Sequence, residues 1–242
     1  MKVGLAQINT TVGDFAGNVA RLGEAYDEAV AAGAEIVVAP ELAITGYPPR
    51  DLLLKNGFVE GNLASLDELA NHVGESALVV GHVGKNNKQP GRAATNAVSL
   101  LQDGKVVTTR TKSLLPTYDV FDEDRYFEPA TENAPVELNG RRLGLTICED
   151  VWNDEDFWDD RRYRANPVES LVEQGAEILI NISASPWSLG KNRMRRGMLA
   201  TTVAKVKRPL IYCNAVGGND ELIFDGGSLV FNAEGQITQQ AP

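Results

Sequence analysis

The chain has 242 residues, 43% of them hydrophobic and 23% charged, a globular composition that excludes a disordered tail, a collagen-like chain or a coiled-coil rod. Its 33 Asp+Glu against 23 Lys+Arg leave a formal charge of −10, so it has no general electrostatic pull toward nucleic acid or anionic lipid. Two cysteines, Cys148 and Cys213, point to reduced thiols in a cytosolic protein, and no apolar run approaches the ~20 residues that span a bilayer.

Strand and helix patterns alternate from the start. Residues 2–9 read as a strand rather than a leader. Val19, Leu22, Tyr26, Ala29 and Val30 recur at helical spacing and predict a helix that stops near Gly33. Residues 35–40 read as a strand, 51–70 as a helix with Leu53, Leu63, Leu66 and Leu69 in the core, and 78–83 as a strand. Residues 94–101 and 106–110 form a hairpin around Asp103-Gly104, and 136–138 and 143–148 a second around Asn139-Gly140. Then come a helix over 167–174, a strand over 177–182, a helix over 192–207 and a strand over 210–214. A last hairpin joins 228–232 to 236–238. Strand–helix–strand units imply parallel pairs and hairpins antiparallel ones, so the expectation is one mixed-sheet α/β domain over 1–242 with room for two sheets. The longest stretch without periodicity is 112–135, and a loop of that length inside a compact domain is more often functional than idle.

Three polar residues follow predicted strands: Glu41, Lys112 and Cys148. In α/β sheets the crevice beyond the carboxyl ends of the strands is the usual place for a site. Each residue alone has an ordinary reading as a loop acid, a surface lysine or a small buried thiol. Glu149-Asp150-Val151-Trp152 reads as a turn into a helix start, which would put the Cys148 sulfur at a helix N-terminus and favour its thiolate. Cys213, inside a strand, is structural. A thiolate attacks an amide or nitrile carbon but needs a base for its proton and a positive group for the oxyanion. The only histidines are His72, expected to be exposed, and His82, expected to be structural; composition leaves a Cys–His site open, but neither lies in a motif that supports one. A buried carboxylate can serve as the base instead. The acidic run of Asp154, Glu155, Asp156, Asp159 and Asp160 reads as a solvated helical face, with no metal expected.

The segments Pro40-Glu41-Leu42-Ala43-Ile44-Thr45-Gly46-Tyr47, Thr111-Lys112 and Ile147-Cys148-Glu149-Asp150-Val151-Trp152 resemble the three signatures of the nitrilase (carbon–nitrogen hydrolase) superfamily, in the family's order Glu, Lys, Cys. The likeness covers essentially the whole chain and implies a four-layer αββα sandwich. Tyr47-Pro48-Pro49-Arg50-Asp51-Leu52-Leu53, the run from Lys112 to Phe127, and Asn181-Ile182-Ser183-Ala184-Ser185-Pro186-Trp187 are similar to the glutaminase domain of glutamine-dependent NAD+ synthetases. That resemblance implies hydrolysis of L-glutamine, with the ammonia passed to an ATP-dependent synthetase domain that amidates nicotinic acid adenine dinucleotide. Glu41 would be the general base and Cys148 the nucleophile that forms a γ-glutamyl thioester. Lys112 would stabilise the oxyanion with a backbone N–H near Glu149, and Glu123 would hold Lys112. Tyr118, Ser185 and Lys191 match substrate-binding positions, joined by Glu149, with Tyr47 and Phe121 as pocket walls.

The synthetase domain is absent from this chain: there is no Ser-Gly-Gly-type pyrophosphate loop, and neither Gly217-Gly218 nor Gly226-Gly227 is followed by the expected pattern. The expectation is a glutaminase domain cut from a longer protein, favoured by the end just after a hairpin, or a subunit with a synthetase partner in trans. No cofactor is expected for the glutaminase step; ATP and Mg2+ are expected only on the synthetase domain. A cytoplasmic homo-oligomer without nucleic-acid or membrane partners completes the expectation. A stand-alone amidase or carbamoylase and a catalytically silent docking module are the alternatives.

Overall fold

The computed structural model describes residues 1–88 and 90–242. In chain order the elements are β1 (Val3–Leu5), α1 (Phe15–Ala31), β2 (Ile36–Val38), α2 (Phe58–His72), β3 (Ala77–Lys85), β4 (Ala94–Gln102), β5 (Lys105–Thr111), β6 (Val136–Leu138), β7 (Arg141–Ile147), α3 (Pro167–Glu173), β8 (Ile178–Ser183), α4 (Lys191–Val206), β9 (Leu210–Asn214), β10 (Val216–Asn219), β11 (Leu222–Asp225), β12 (Leu229–Phe231) and β13 (Ile237–Gln240). One sheet has the order β1-β2-β3-β4-β5 and a second the order β13-β12-β9-β8-β7-β6, while β10 and β11 form a separate ribbon.

Alternation along the strands explains the layering, because successive side chains point to opposite faces. On β2, Ile36 and Val38 enter a core shared with Leu145, Ile147, Ile180 and Ile182 of the second sheet. Val37, between them, packs instead with Leu22 and Tyr26 of α1 and Leu66 and Leu69 of α2. The second sheet does the same on its far side, where Leu179, Leu210 and Tyr212 meet Leu171 of α3 and Met198, Leu199 and Val203 of α4. The result is two sheets face to face, each covered by a helix pair: an αββα sandwich with mixed sheets. A strand buried on both faces reads as a continuous apolar run, and β2 reads so, whereas β8 interrupts its run with the buried Asn181 and Ser183.

Four local expectations are corrected. The helix expected over 51–70 is a 3-10 turn at Arg50–Leu54 and then α2, because Gly57 takes φ 80° and breaks the path. The ribbon β10–β11 escaped the sequence because its first strand carries Gly217-Gly218, poor strand formers. The acidic run is not helical. Asp154 is buried, and Lys205 of α4 draws in Glu155 at 3.1 Å, Asp156 at 3.6 Å and Asp154 at 4.0 Å. The helix expected to begin after Cys148 is a single 3-10 turn, Cys148–Val151. Among the described residues, no helix is long and apolar enough to cross a membrane.

Candidate active site

β2 and β3 are parallel, and β5 returns to the same direction through two antiparallel pairings, so the residues after β2 and β5 emerge at one edge. Glu41 follows β2 and Lys112 follows β5. Lys112 Nζ donates to Glu41 Oε1 at 2.7 Å and to both Glu123 oxygens at 2.8 Å. The Lys112 and Glu41 side chains are 0% exposed and that of Glu123 6%. Asn96 of β4 donates to Glu41 Oε1 at 2.7 Å and to Glu123 Oε2 at 3.4 Å. The Ala184 N–H, just past β8, donates to Glu41 Oε2 at 2.9 Å, and the Tyr47 hydroxyl to Glu123 Oε1 at 2.9 Å. Burial works against the Lys112 charge, but Glu123 and Glu41 outweigh it and hold the ammonium well above its ordinary pKa. Glu123 moves up to about 7, because burial and the charge of Glu41 oppose ionisation more than Lys112 favours it.

Cys148 sits on the turn beyond β7 with φ 42°, a left-handed conformation that a non-glycine residue adopts at a cost of about 1–3 kcal/mol. Cys148 lines a cavity of about 270 Å3. Its thiol is held well above the ordinary cysteine pKa, first by burial, then by Glu41, with Lys112 opposing. The helix N-terminus expected to favour a thiolate is here a single 3-10 turn, which supplies little dipole, so burial and the Glu41 charge push the thiol pKa up instead.

The same cavity is lined by Tyr118, Phe121, Glu149, Ser185 and Lys191, together with Trp152, Trp158 and Arg162. Tyr118 donates to Glu149 Oε1 at 2.8 Å and Tyr163 to the same oxygen at 3.1 Å. Burial nevertheless raises the Glu149 carboxyl above the usual carboxylate range. The Arg162 guanidinium lies 3.9 Å from the Tyr118 ring centre. Lys191, first residue of α4, is 5.7 Å from the Phe121 ring centre and 5.6 Å from that of Trp152, and burial lowers its pKa. The Ser185 N–H is held by Asn214 Oδ1 at 2.9 Å, and its hydroxyl accepts from Arg195 at 3.4 Å. Tyr47 departs from expectation. It lines a separate cavity of about 230 Å3 with Phe121, Glu123 and Tyr126, and acts on the charge cluster rather than on the Cys148 cavity. A larger cleft of about 1020 Å3, between Lys85, Arg110 and Asn133, contains none of the candidate catalytic or substrate-binding residues.

The sequence reading missed Asn96, Asp150, Tyr163, Arg162 and Arg195. Asn96 left no distinguishing signal, because β4 also carries Thr95, Ser99 and Gln102. The histidines lie apart: His72 pairs with Asp27 at the surface, and His82 is buried against Ser99. Cys213 is buried between the sheets with its S–H toward the Val38 carbonyl at 3.2 Å. No cluster of three metal-ligating acidic, His or Cys side chains occurs among the described residues.

Residues 2–242 match the carbon–nitrogen hydrolase family model. The glutamine-dependent NAD(+) synthetase of Synechocystis sp. is 43% identical over 244 residues, which cover 99% of this chain and 44% of that protein. The enzyme of the same name from Thermotoga maritima is 38% identical over 98% of this chain and 39% of its own length. Among solved structures, the glutamine-dependent NAD+ synthetase of Acinetobacter baumannii superimposes with a TM-score of 0.89 at 31% identity, over 99% of this chain and 43% of that one. An amidase from Nesterenkonia sp. shares the fold, with a TM-score of 0.81 at 24% identity over 100% of this chain and 86% of its own. The chain spans less than half the length of the synthetases it matches.

Proposed function

The chain belongs to the carbon–nitrogen hydrolase family, and from that premise we propose that it is the glutamine-hydrolysing part of a glutamine-dependent NAD+ synthetase. The observation that carries this reading is the buried Glu41–Lys112–Glu123 cluster, whose charges act on the thiol of Cys148, a residue that lines the cavity. Glu41 takes the thiol proton as sulfur attacks the side-chain amide carbon of glutamine. Lys112 and a backbone N–H near Glu149 stabilise the oxyanion, where preorganised donors in a dry site act most strongly. The proton on Glu41 passes to the amide nitrogen, the C–N bond breaks, and ammonia leaves a γ-glutamyl thioester on Cys148. Glu41 then activates water, and glutamate is released. Glu123 keeps Lys112 charged and in place throughout. Lys191 faces the substrate carboxylate and Glu149 its ammonium, with Tyr118 and Ser185 fixing orientation and Phe121 as an aromatic wall. The half-reaction calls for no metal or cofactor. Its ammonia is destined for a synthetase portion that binds ATP and Mg2+, in the same polypeptide or as a separate partner. The setting is a cytoplasmic homo-oligomer.

Incubation with a diazo-oxo analogue of glutamine, followed by intact-mass analysis and peptide mapping, tests the reading. One adduct on Cys148, suppressed by excess glutamine, is expected. An adduct on Cys213, or none, overturns it. Ammonia released from simple amides but not from glutamine would replace it with a stand-alone amidase.

A further inference from the structure

Lys112 and Cys148 stand on different sheets, at the ends of β5 and β7, so no shared ladder of strand hydrogen bonds sets the distance between them. One side chain bridges the two segments. Asp150 Oδ1 accepts from the backbone N–H groups of Ser113 and Leu114, each at 2.9 Å, directly after Lys112. Asp150 Oδ2 accepts from the Ile147 N–H at 3.0 Å, directly before Cys148. The carboxylate is 2% exposed, and none of the residues it bonds touches substrate in the mechanism above.

We propose that Asp150 is a positioning residue for the hydrolysis, setting the separation and orientation of Cys148 and Lys112 by clamping the Ser113–Leu114 and Ile147 amides to one carboxylate. The proposal rests on the hydrolase reading. Its physical basis is twofold. A strained left-handed residue such as Cys148 persists only where its surroundings over-determine it, and the Ile147–Asp150 bond closes the turn around it. Backbone donors buried without an acceptor cost about 1–3 kcal/mol each, so all three drive toward this carboxylate together. A misplacement of reacting groups by about 1 Å can cost on the order of a hundredfold in rate, so a clamp of this kind acts on turnover rather than on binding.

Asp150→Asn is close to isosteric but keeps a single acceptor oxygen. Its amide nitrogen would confront one of the three N–H groups, donor against donor. The test is made on the whole 242-residue chain. Active sites are counted by the glutamine-protected diazo-oxo label, so that unfolded protein does not enter the rate. The expected result is a kcat per labelled site at least tenfold below the parent, with KM for glutamine within twofold. A purely structural role would lower the number of labelled sites and leave kcat per site unchanged, and that result overturns the proposal. Should Asp150→Asn fail to fold, amide hydrogen exchange in the parent decides. Ser113, Leu114 and Ile147 should be protected as strongly as the interior of β7, and exchange of Ser113 and Leu114 at open-loop rates overturns the clamp. A parent chain that takes no label on Cys148 refutes the hydrolase reading itself, and this proposal falls with it.

Discussion

Lys112 places a full positive charge in the interior, where its side chain is 0% exposed. Its ammonium is buried with two carboxylates, and breaking such a pair from one side leaves an uncompensated buried charge that costs about 3–5 kcal/mol. Lys112→Met is therefore expected to lower stability by about that amount and to abolish glutamine hydrolysis. Urea denaturation and an ammonia assay check the two effects separately; a variant as stable as the parent would mean that the carboxylates are already neutral. At this scale the sequence was informative where a strand ends in a polar residue, because strand direction alone brings Glu41 and Lys112 to one edge. It was silent on Asn96 and Asp150. Their roles are bonds to residues 55 and 36 positions away, which no local pattern encodes. It also expected a helix start after Cys148, where the structure has one 3-10 turn and burial and neighbouring charge push the thiol pKa up.

At the scale of elements, the site depends on how closely the Glu41 turn lies on β3. Gly81 makes the fit possible: a Cβ there would stand 2.4 Å from the Leu42 nitrogen, 2.5 Å from the Pro40 oxygen and 2.7 Å from the Glu41 carbonyl carbon. These are backbone atoms, which cannot rotate aside. Gly81→Ala is expected to push the turn off the strand and lower kcat per labelled site at least tenfold. The overpacking should cost roughly 1–3 kcal/mol in a denaturant melt. Parental turnover would show that the Glu41 turn can shift without consequence. The Asp103-Gly104 hairpin was legible in advance because both residues adopt positive φ, 50° and 73°, the primed-turn geometry that these residue types favour. The split of the expected 51–70 helix was not, since the apolar spacing runs on across Gly57.

For the whole molecule, His82 predicts how stability follows pH. It lies in β3, 2% exposed, with Nδ1–H donating to the Val83 carbonyl at 3.0 Å and Nε2 accepting from the Ser99 hydroxyl at 2.8 Å. Both bonds are made by the neutral ring. Burial lowers its pKa from 6.5 to about 4, against a smaller opposing effect of the Val83 bond. The unfolded chain takes a proton near pH 6.5 that the native chain refuses until about 4. Stability contributed by the neutral ring is therefore complete above 6.5 and is lost as pH falls toward 4, by about 3 kcal/mol in all. Glu123, raised to about 7, and Asp150, raised to about 6 mainly by burial, act in the opposite direction, because the native state holds their protons more tightly. The measurement is thus a difference: unfolding free energy of the parent minus that of His82→Gln, at pH 7 and pH 4. The parent should lose about 2–3 kcal/mol relative to the variant. Parallel curves would refute a buried neutral imidazole.

The sequence by itself determined the alternation of strands and helices, the two tight hairpin turns and the strand ends bearing Glu41, Lys112 and Cys148. Those features follow from side-chain periodicity and local backbone preference, which act over a few residues. Only the tertiary structure decided that Tyr47 serves Glu123 from a second cavity, that Asn96 and the Ala184 N–H hold Glu41, and that one carboxylate joins the Lys112 and Cys148 segments. Ionisation belongs to the same class. The cost of burying a charge is set by every group that excludes water from it, and those groups come from both sheets and from loops far apart in the chain.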